Sequence, residues 1–121
     1  MTLDATTIPV ASMVESIVGC KWSVSLLRLL ADGCSRPSAL LRASTGLSAK
    51  VMNERLRKML RFGIVSRTVL GDKPPIEVEY ALTPFGQRFM GIIEEVRRLQ
   101  TAVDSGAISN RAAARKGRRS I

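Results

Sequence analysis

The chain has no histidine, two cysteines and no apolar run near the ~18–20 residues of a membrane span. Without histidine it lacks the commonest metal ligand and the commonest general base, which weighs against many enzyme classes at once. Two cysteines are too few for a disulfide framework and lack the company of a metal site, so a reducing cytoplasm is the expected compartment. The opening MTLDATTIPV shows neither the positive start nor the apolar block of a signal peptide. The glycines are scattered over turn and helix-end positions. No phosphate-binding glycine loop or nucleophile elbow organises the serines and carboxylates. The expectation is a non-enzyme with no cofactor, no metal and no membrane partner.

Acid is also scarce. Against 10 Asp and Glu stand 19 Lys and Arg, a net charge of +9, with a sequence pI near 10.8. Such an excess favours nucleic acid or an anionic surface as partner and says nothing about fold. At 121 residues and 45% hydrophobic content, one domain with one core is the expectation. The charge is unevenly spread: residues 1–104 carry +4, and residues 105–121, with RAAARKGRRS and no acid, carry +5. Residues 8–104 are therefore read as the domain and residues 105–121 as a disordered basic tail.

Along the chain, Ile8-Pro9 and the apolar Val10, Met13, Val14, Ile17 and Val18 predict a short helix, with proline in its first turn and Gly19 near its end. Trp22, Leu26, Leu27, Leu29 and Leu30 predict a second, stopped at Asp32-Gly33. A brief extended link, Cys34 to Arg36, precedes one or two helical turns from Ser38 to Ala43. Ser48 is a suitable N-cap for a helix with Met52, Leu56, Met59 and Leu60 inside, ending at Phe62-Gly63. Val65–Leu70 and Ile76–Leu82 read as a hairpin, with Ile76, Val78, Tyr80 and Leu82 on its buried face and Glu77 and Glu79 opposite. The order helix-helix-strand-helix-helix-strand-strand is that of a winged helix, an α+β, mostly α fold.

A long helix is expected from a Thr83 cap to about Asp104. Its Phe85, Phe89, Ile92, Val96, Leu99 and Val103 are spaced 4, 3, 4, 3, 4, the seam of a two-helix contact. Such a stripe can pack on its own domain. A chain this small has little core to spare for it, so a partner helix is the favoured reading. With the first helix, this nominates Val10, Val14, Ile17, Phe85, Phe89, Ile92, Val96 and Leu99 as a homodimer interface.

The segment LSAKVMNERLRKMLRFGIVSR puts like charge on one helix face. With Met52 at the centre of the buried side and about 100° per residue, Lys50, Glu54, Arg57 and Arg61 fall opposite and Asn53 on a flank. A solvated face explains the charge alone. The preceding helix-turn, the following hairpin and the dimer helix favour double-stranded DNA. Lys50 and Asn53, in the first turns after Ser48, suit base edges; Arg57, Lys58 and Arg61 suit the backbone.

GCKW…LLADG, then LSAKVMNERLRKMLRFGIVSR, then PPIEVEYALTPFG together resemble the HxlR-type winged-helix transcription regulators of bacteria and archaea, relatives of the MarR group. The likeness covers about Ile8 to Leu99, with the motifs in order. It implies a homodimer through the first and last helices, a recognition helix at Ser48–Arg61, a wing at Gly71–Ile76, and repression or activation of nearby genes; a nucleoid-associated repressor is the leading reading. Three positions depart from the family pattern. Ile8 stands where many members carry a sensor cysteine, Glu77 stands where the wing strand often has a basic residue, and Pro37 replaces an aromatic. Lys73 is left as the wing's candidate phosphate contact.

Cys20, beside Lys21 and near a helix start, has two influences that make a thiol reactive and is the candidate redox sensor. The alternative is that it only fills a slot beside Trp22, and that the effector is a small-molecule ligand bound non-covalently in the dimer crevice. Other functions left open are a winged-helix protein-interaction module and an architectural protein binding DNA through charge alone.

Overall fold

The computed structural model describes residues 9–111. Ile8, the sensor position of the resemblance, and tail residues 112–121 lie outside them. Helix α1 (Val10–Val18) starts after Pro9, which serves as its cap with φ −73° and does not enter the first turn. Helix α2 (Ser23–Ala31) starts after Trp22, not at it. Trp22 holds φ 77°, a left-handed conformation that costs a bulky residue roughly 1–3 kcal/mol unless its surroundings impose it. Those surroundings are visible: a Cβ on Gly46 would lie 3.8 Å from the indole, and the Lys21 ammonium sits 5.7 Å from the ring centre.

The link after α2 is extended but forms no strand. Its one sheet-like bond is Tyr80 N–H to Ser35 O at 2.8 Å, so the expected third strand reduces to a single rung. Helix α3 (Pro37–Arg42) and helix α4 (Ala49–Arg61) follow. Ser48 caps α4 as expected, its Oγ accepting from Val51 N–H at 3.2 Å. Met52, Leu56 and Met59 form the buried side of α4.

Strands β1 (Val65–Leu70) and β2 (Glu77–Leu82) pair antiparallel in a two-stranded sheet, from Val65 opposite Leu82 to Leu70 opposite Glu77. Val65 and Tyr80 of this hairpin are buried in the core, and Val78 and Leu82 are half-buried against it. Ile76, expected on the buried face, lies in the connecting turn and is 51% exposed. No core extends beneath that end of the hairpin, so alternation alone does not bury it.

The last turn of the chain's architecture is also its tightest. Helix α5 (Pro84–Asp104) is capped by Thr83, whose Oγ1 accepts from Gly86 N–H at 3.0 Å and donates to Gly63 O at 2.6 Å. Thr83 N–H adds a bond to Ile64 O at 3.0 Å. A Cβ on Gly86 would stand 2.0 Å from Ile64 O, so only glycine lets α5 approach this carbonyl.

The core gathers Met13 and Ile17 of α1, Leu26, Leu27 and Leu30 of α2, Leu40, Met52, Leu56, Met59, Ile64, Tyr80 and the Phe89, Met90 and Ile93 face of α5. Ile17, at 0% exposure, and Phe89, at 2%, are spent inside the protomer. This differs from their expected place on a dimer surface: α5 turns Phe89, Met90 and Ile93 inward, with Phe85 half-buried against the core, while Ile92, Val96 and Leu99 of the 4-3 stripe stay exposed. Among the described residues no single helix is long and apolar enough to cross a membrane.

Gly86→Ala should destabilise the fold by about 1–3 kcal/mol or more, because the clash is with backbone that cannot rotate away. Denaturant unfolding of the two proteins measures it; an unchanged midpoint would mean that α5 can shift at no cost.

Candidate nucleic-acid interface

Helix α4 presents Lys50, Asn53, Arg57 and Arg61 to solvent as one stripe, with Glu54 beside it. The helix has no acid in its first turn and ends in Arg61. Its N-terminal N–H groups and dipole therefore add to the positive potential of that end without a carboxylate to cancel it. From Lys50 to Arg61 the stripe runs about 16 Å along the axis at ~1.5 Å per residue.

Beside it, Asn53, Arg57, Leu60, Arg67 and Tyr80 line one open cleft between α4 and the hairpin. Arg67 is the member that the sequence reading missed. It is exposed on β1 opposite Tyr80, and only the packing of the hairpin against α4 brings it to Asn53 and Arg57. A single arginine in a strand carries no periodic signal that would have nominated it.

The turn Gly71–Ile76, with Lys73 in it, is exposed throughout. Gly71 starts it at φ 82°. The turn carries its own acid, Asp72, beside Lys73. The next acids along the strand, Glu77 and Glu79, are drawn back by Arg36 at the start of α3. Arg36 Nη1 is bonded to Glu77, and Arg36 Nε donates to Glu79 at 3.4 Å. The hydrogen bond to Glu77 is the first cause of a raised Arg36 pKa. The carboxylate in the usual basic position of the wing strand is thereby neutralised from within the chain. Among the described residues, Lys50, Arg57, Arg61, Arg67 and Lys73 make no ion pair.

Lys58 stands apart from the others named for this face. Its ammonium points to α1, 3.4 Å from Ser16 O and 3.2 Å from Cys20 Sγ. The cation beside Cys20 is thus Lys58, while Lys21 lies over Trp22. Cys20 and Cys34 are both free thiols and half-buried.

Helix α5 has no buried residue beyond Ile93. Ile92, Val96 and Leu99 are 52%, 59% and 57% exposed, and Val10 of α1 is 46% exposed. Val10, Met13, Phe85, Phe89 and Ile92 line an apolar groove, with Arg88 at its rim. Val14 is half-buried in the same helix as Val10. Farther along, Arg28 and Arg97 converge on Glu94, at 3.5 and 2.9 Å. The Arg97 hydrogen bond, with Arg28 adding to it, holds the Glu94 carboxyl below its ordinary range.

Five helices, with a capped recognition-type helix in a helix-turn-helix, and a short β wing define a winged helix-turn-helix protein. The HxlR-like helix-turn-helix family model matches residues 17–105, and the chain belongs to that family. An HTH-type transcriptional regulator of Synechocystis is 35% identical over 91 residues, 75% of this chain and 66% of the relative. YtcD of Bacillus subtilis, also an HTH-type transcriptional regulator, is 32% identical over 64% of this chain and 61% of its own length. The match thus spans about two thirds of these relatives or less. Among solved structures, a MarR-family transcriptional regulator of Enterococcus faecalis superposes with TM-score 0.72 at 30% identity, covering 88% of this chain and 94% of that one. The reduced form of the regulator YodB from B. subtilis superposes with TM-score 0.65 at 27% identity, covering 81% and 92%.

Proposed function

We propose that the protein is a sequence-specific, DNA-binding transcriptional regulator of the cytoplasm that works as a homodimer and acts by repression. The observation that carries this reading is the solvent-facing stripe Lys50, Asn53, Arg57 and Arg61 on a Ser48-capped helix, continuous with Arg67 across one cleft. A DNA major groove is about 12 Å wide. In helix-turn-helix proteins the N-terminal residues of the helix lying in that groove are the ones that contact base edges. Lys50 and Asn53, at the helix start, meet the bases; Arg57, Arg61 and Arg67 meet the phosphate wall, and Lys73 reaches phosphate from the wing.

Dimerisation joins the exposed apolar side of α5 to that of α1. Beyond Ile93, α5 continues for about 16 Å with no buried side chain, a length that has no use in a monomer's core. Ile92, Val96 and Leu99 repeat at the spacing of a helix pair, and Val10, Val14 and Phe85 continue the surface toward α1. Relatives named as transcriptional regulators support the regulatory reading, not the dimer.

Two experiments test it. In the first, the protein selects from a random double-stranded DNA pool at physiological salt. A regulator should prefer its selected sequence over random DNA by ~10³-fold or more. No preference would leave an architectural binder, and no binding a protein-interaction module. On the selected site, Asn53→Ala should lose ~1–3 kcal/mol and relax preference at one or two positions. Arg57→Ala and Arg67→Ala should instead weaken all sequences alike and lower the salt slope by roughly one each. In the second, Val96→Glu with Leu99→Glu should give folded monomer on a sizing column and lose specific binding. Phe89→Glu should unfold the domain, since a carboxylate there would enter the core. Wild-type protein running as monomer at micromolar concentration would sink the dimer.

A further inference from the structure

Two cations of α4 are directed away from its solvent stripe. Arg55 Nε donates to Lys21 O at 3.0 Å, and Lys58 Nζ reaches Ser16 O at 3.4 Å and Cys20 Sγ at 3.2 Å. Three positions apart, they share one side of the helix. Both land on the same place, the corner where α1 turns into α2.

That corner needs holding. Gly19 N–H and Cys20 N–H are spent on Glu15 O and Ile17 O, so Ser16 O is left at the C-terminal end of α1. Partial negative charge collects there, and a cation is favoured. Two residues on, Trp22 sits at φ 77°, outside the regions a tryptophan prefers. Next to it, Ser23 is fully buried with its hydroxyl unpartnered. The local chain therefore has strained and unsatisfied groups where the angle between α1 and α2 is set. Inside, Met13 and Ile17 of α1 pack in the core with Leu26 and Leu27 of α2; outside, the pair of cations on α4 bonds to the corner itself.

We propose that Arg55 and Lys58 are positioning residues, which lock the recognition helix to the α1–α2 corner and so set the separation of the two recognition helices in the dimer. The idea rests on the homodimeric DNA-reading function above. If α1 lies in the dimer contact, any rotation of α4 relative to α1 displaces the recognition helix against its twin. Half-sites in such dimers lie about one helical turn apart, roughly 34–36 Å over 10–10.5 base pairs, so a shift of ~3.4 Å is one base pair of register. Arg55 and Lys58 then determine which half-site spacing is read, without touching DNA themselves.

The test uses full-length Lys58→Met and Arg55→Met proteins, first confirmed as dimers on a sizing column. Each is put through selection on the random DNA pool and titrated on the wild-type site, including versions with one or two base pairs inserted or removed between half-sites. The expected result is unchanged half-site sequences, a broadened or shifted spacing preference, and about tenfold weaker binding at the wild-type spacing, since sites held loosely lose register. The salt slope should stay at the wild-type value, and Lys58→Arg, which keeps a donor at Ser16 O, should restore the spacing. A slope lowered by roughly one with spacing preference intact would mean a phosphate contact and overturn the proposal. Wild-type affinity and spacing in both Met variants would overturn it too. Should Lys58→Met fail to fold, Arg55→Met carries the same expectation and decides alone. Failure of the underlying reading is distinguishable: the wild-type arm would then select no sequence or run as monomer.

Discussion

Everything in this fold hangs on the approach of α5 to the Ile64 carbonyl. Within a few residues lie the end of α4, the start of β1, the end of β2 and the start of α5, joined by Thr83 and made possible by the missing side chain of Gly86. The bond from Thr83 N–H to Ile64 O closes the hairpin's base, and the Thr83 hydroxyl bond to Gly63 O ties it to the turn after α4. The hairpin's position relative to the recognition helix, and the direction in which α5 leaves the domain, follow from one junction. A winged helix needs both directions at once: wing and recognition helix aimed at one partner, and the long helix aimed away from it.

Basic residues are sorted by that arrangement into two uses. Arg28, Arg36, Arg97 and Arg98 are paired with carboxylates on the chain's own surface. Exposed pairs of this kind add little to stability. Their effect is to remove negative charge from where it would repel a polyanion, most clearly at Glu77 and Glu79 beside the wing. Lys50, Arg57, Arg61 and Arg67 are left unpaired among the described residues and concentrated on one side. The net charge matters less than this sorting, because a cation already held by a carboxylate has little counterion to release on DNA.

Arg55 and Lys58 make a third use of basic side chains, as hydrogen-bond donors to backbone carbonyls at a helix corner. Charge on a recognition helix is therefore not a reliable count of phosphate contacts. The long stem of lysine lets one residue cross the edge of the helix and serve the neighbouring element.

Local chemistry was enough to determine a good part of this. Ser48 and Thr83 cap their helices because each is a short oxygen-bearing side chain three residues ahead of a free N–H, a rule that operates within one turn. The bounds of β1, the span of α5 and the exposed stripe of α4 follow likewise from neighbours two to four positions apart. What the tertiary structure alone decided concerns residues whose local pattern permits two outcomes. On α5 the 4-3 stripe and the Phe89, Met90, Ile93 face are both apolar. Which one the core consumes depends on the angle at which the Gly86 junction sets the helix down. Trp22 leaves the helix it seemed to begin because the α1–α2 corner requires a left-handed residue there. Ile76 stays in solvent because no core extends beneath the wing. Arg67 joins the α4 cleft through partners up to 14 positions away in sequence, and Lys58 leaves the α4 face through partners 38 or more positions away. Periodicity tells a side chain which way to face on its own helix or strand; only packing supplies what it faces.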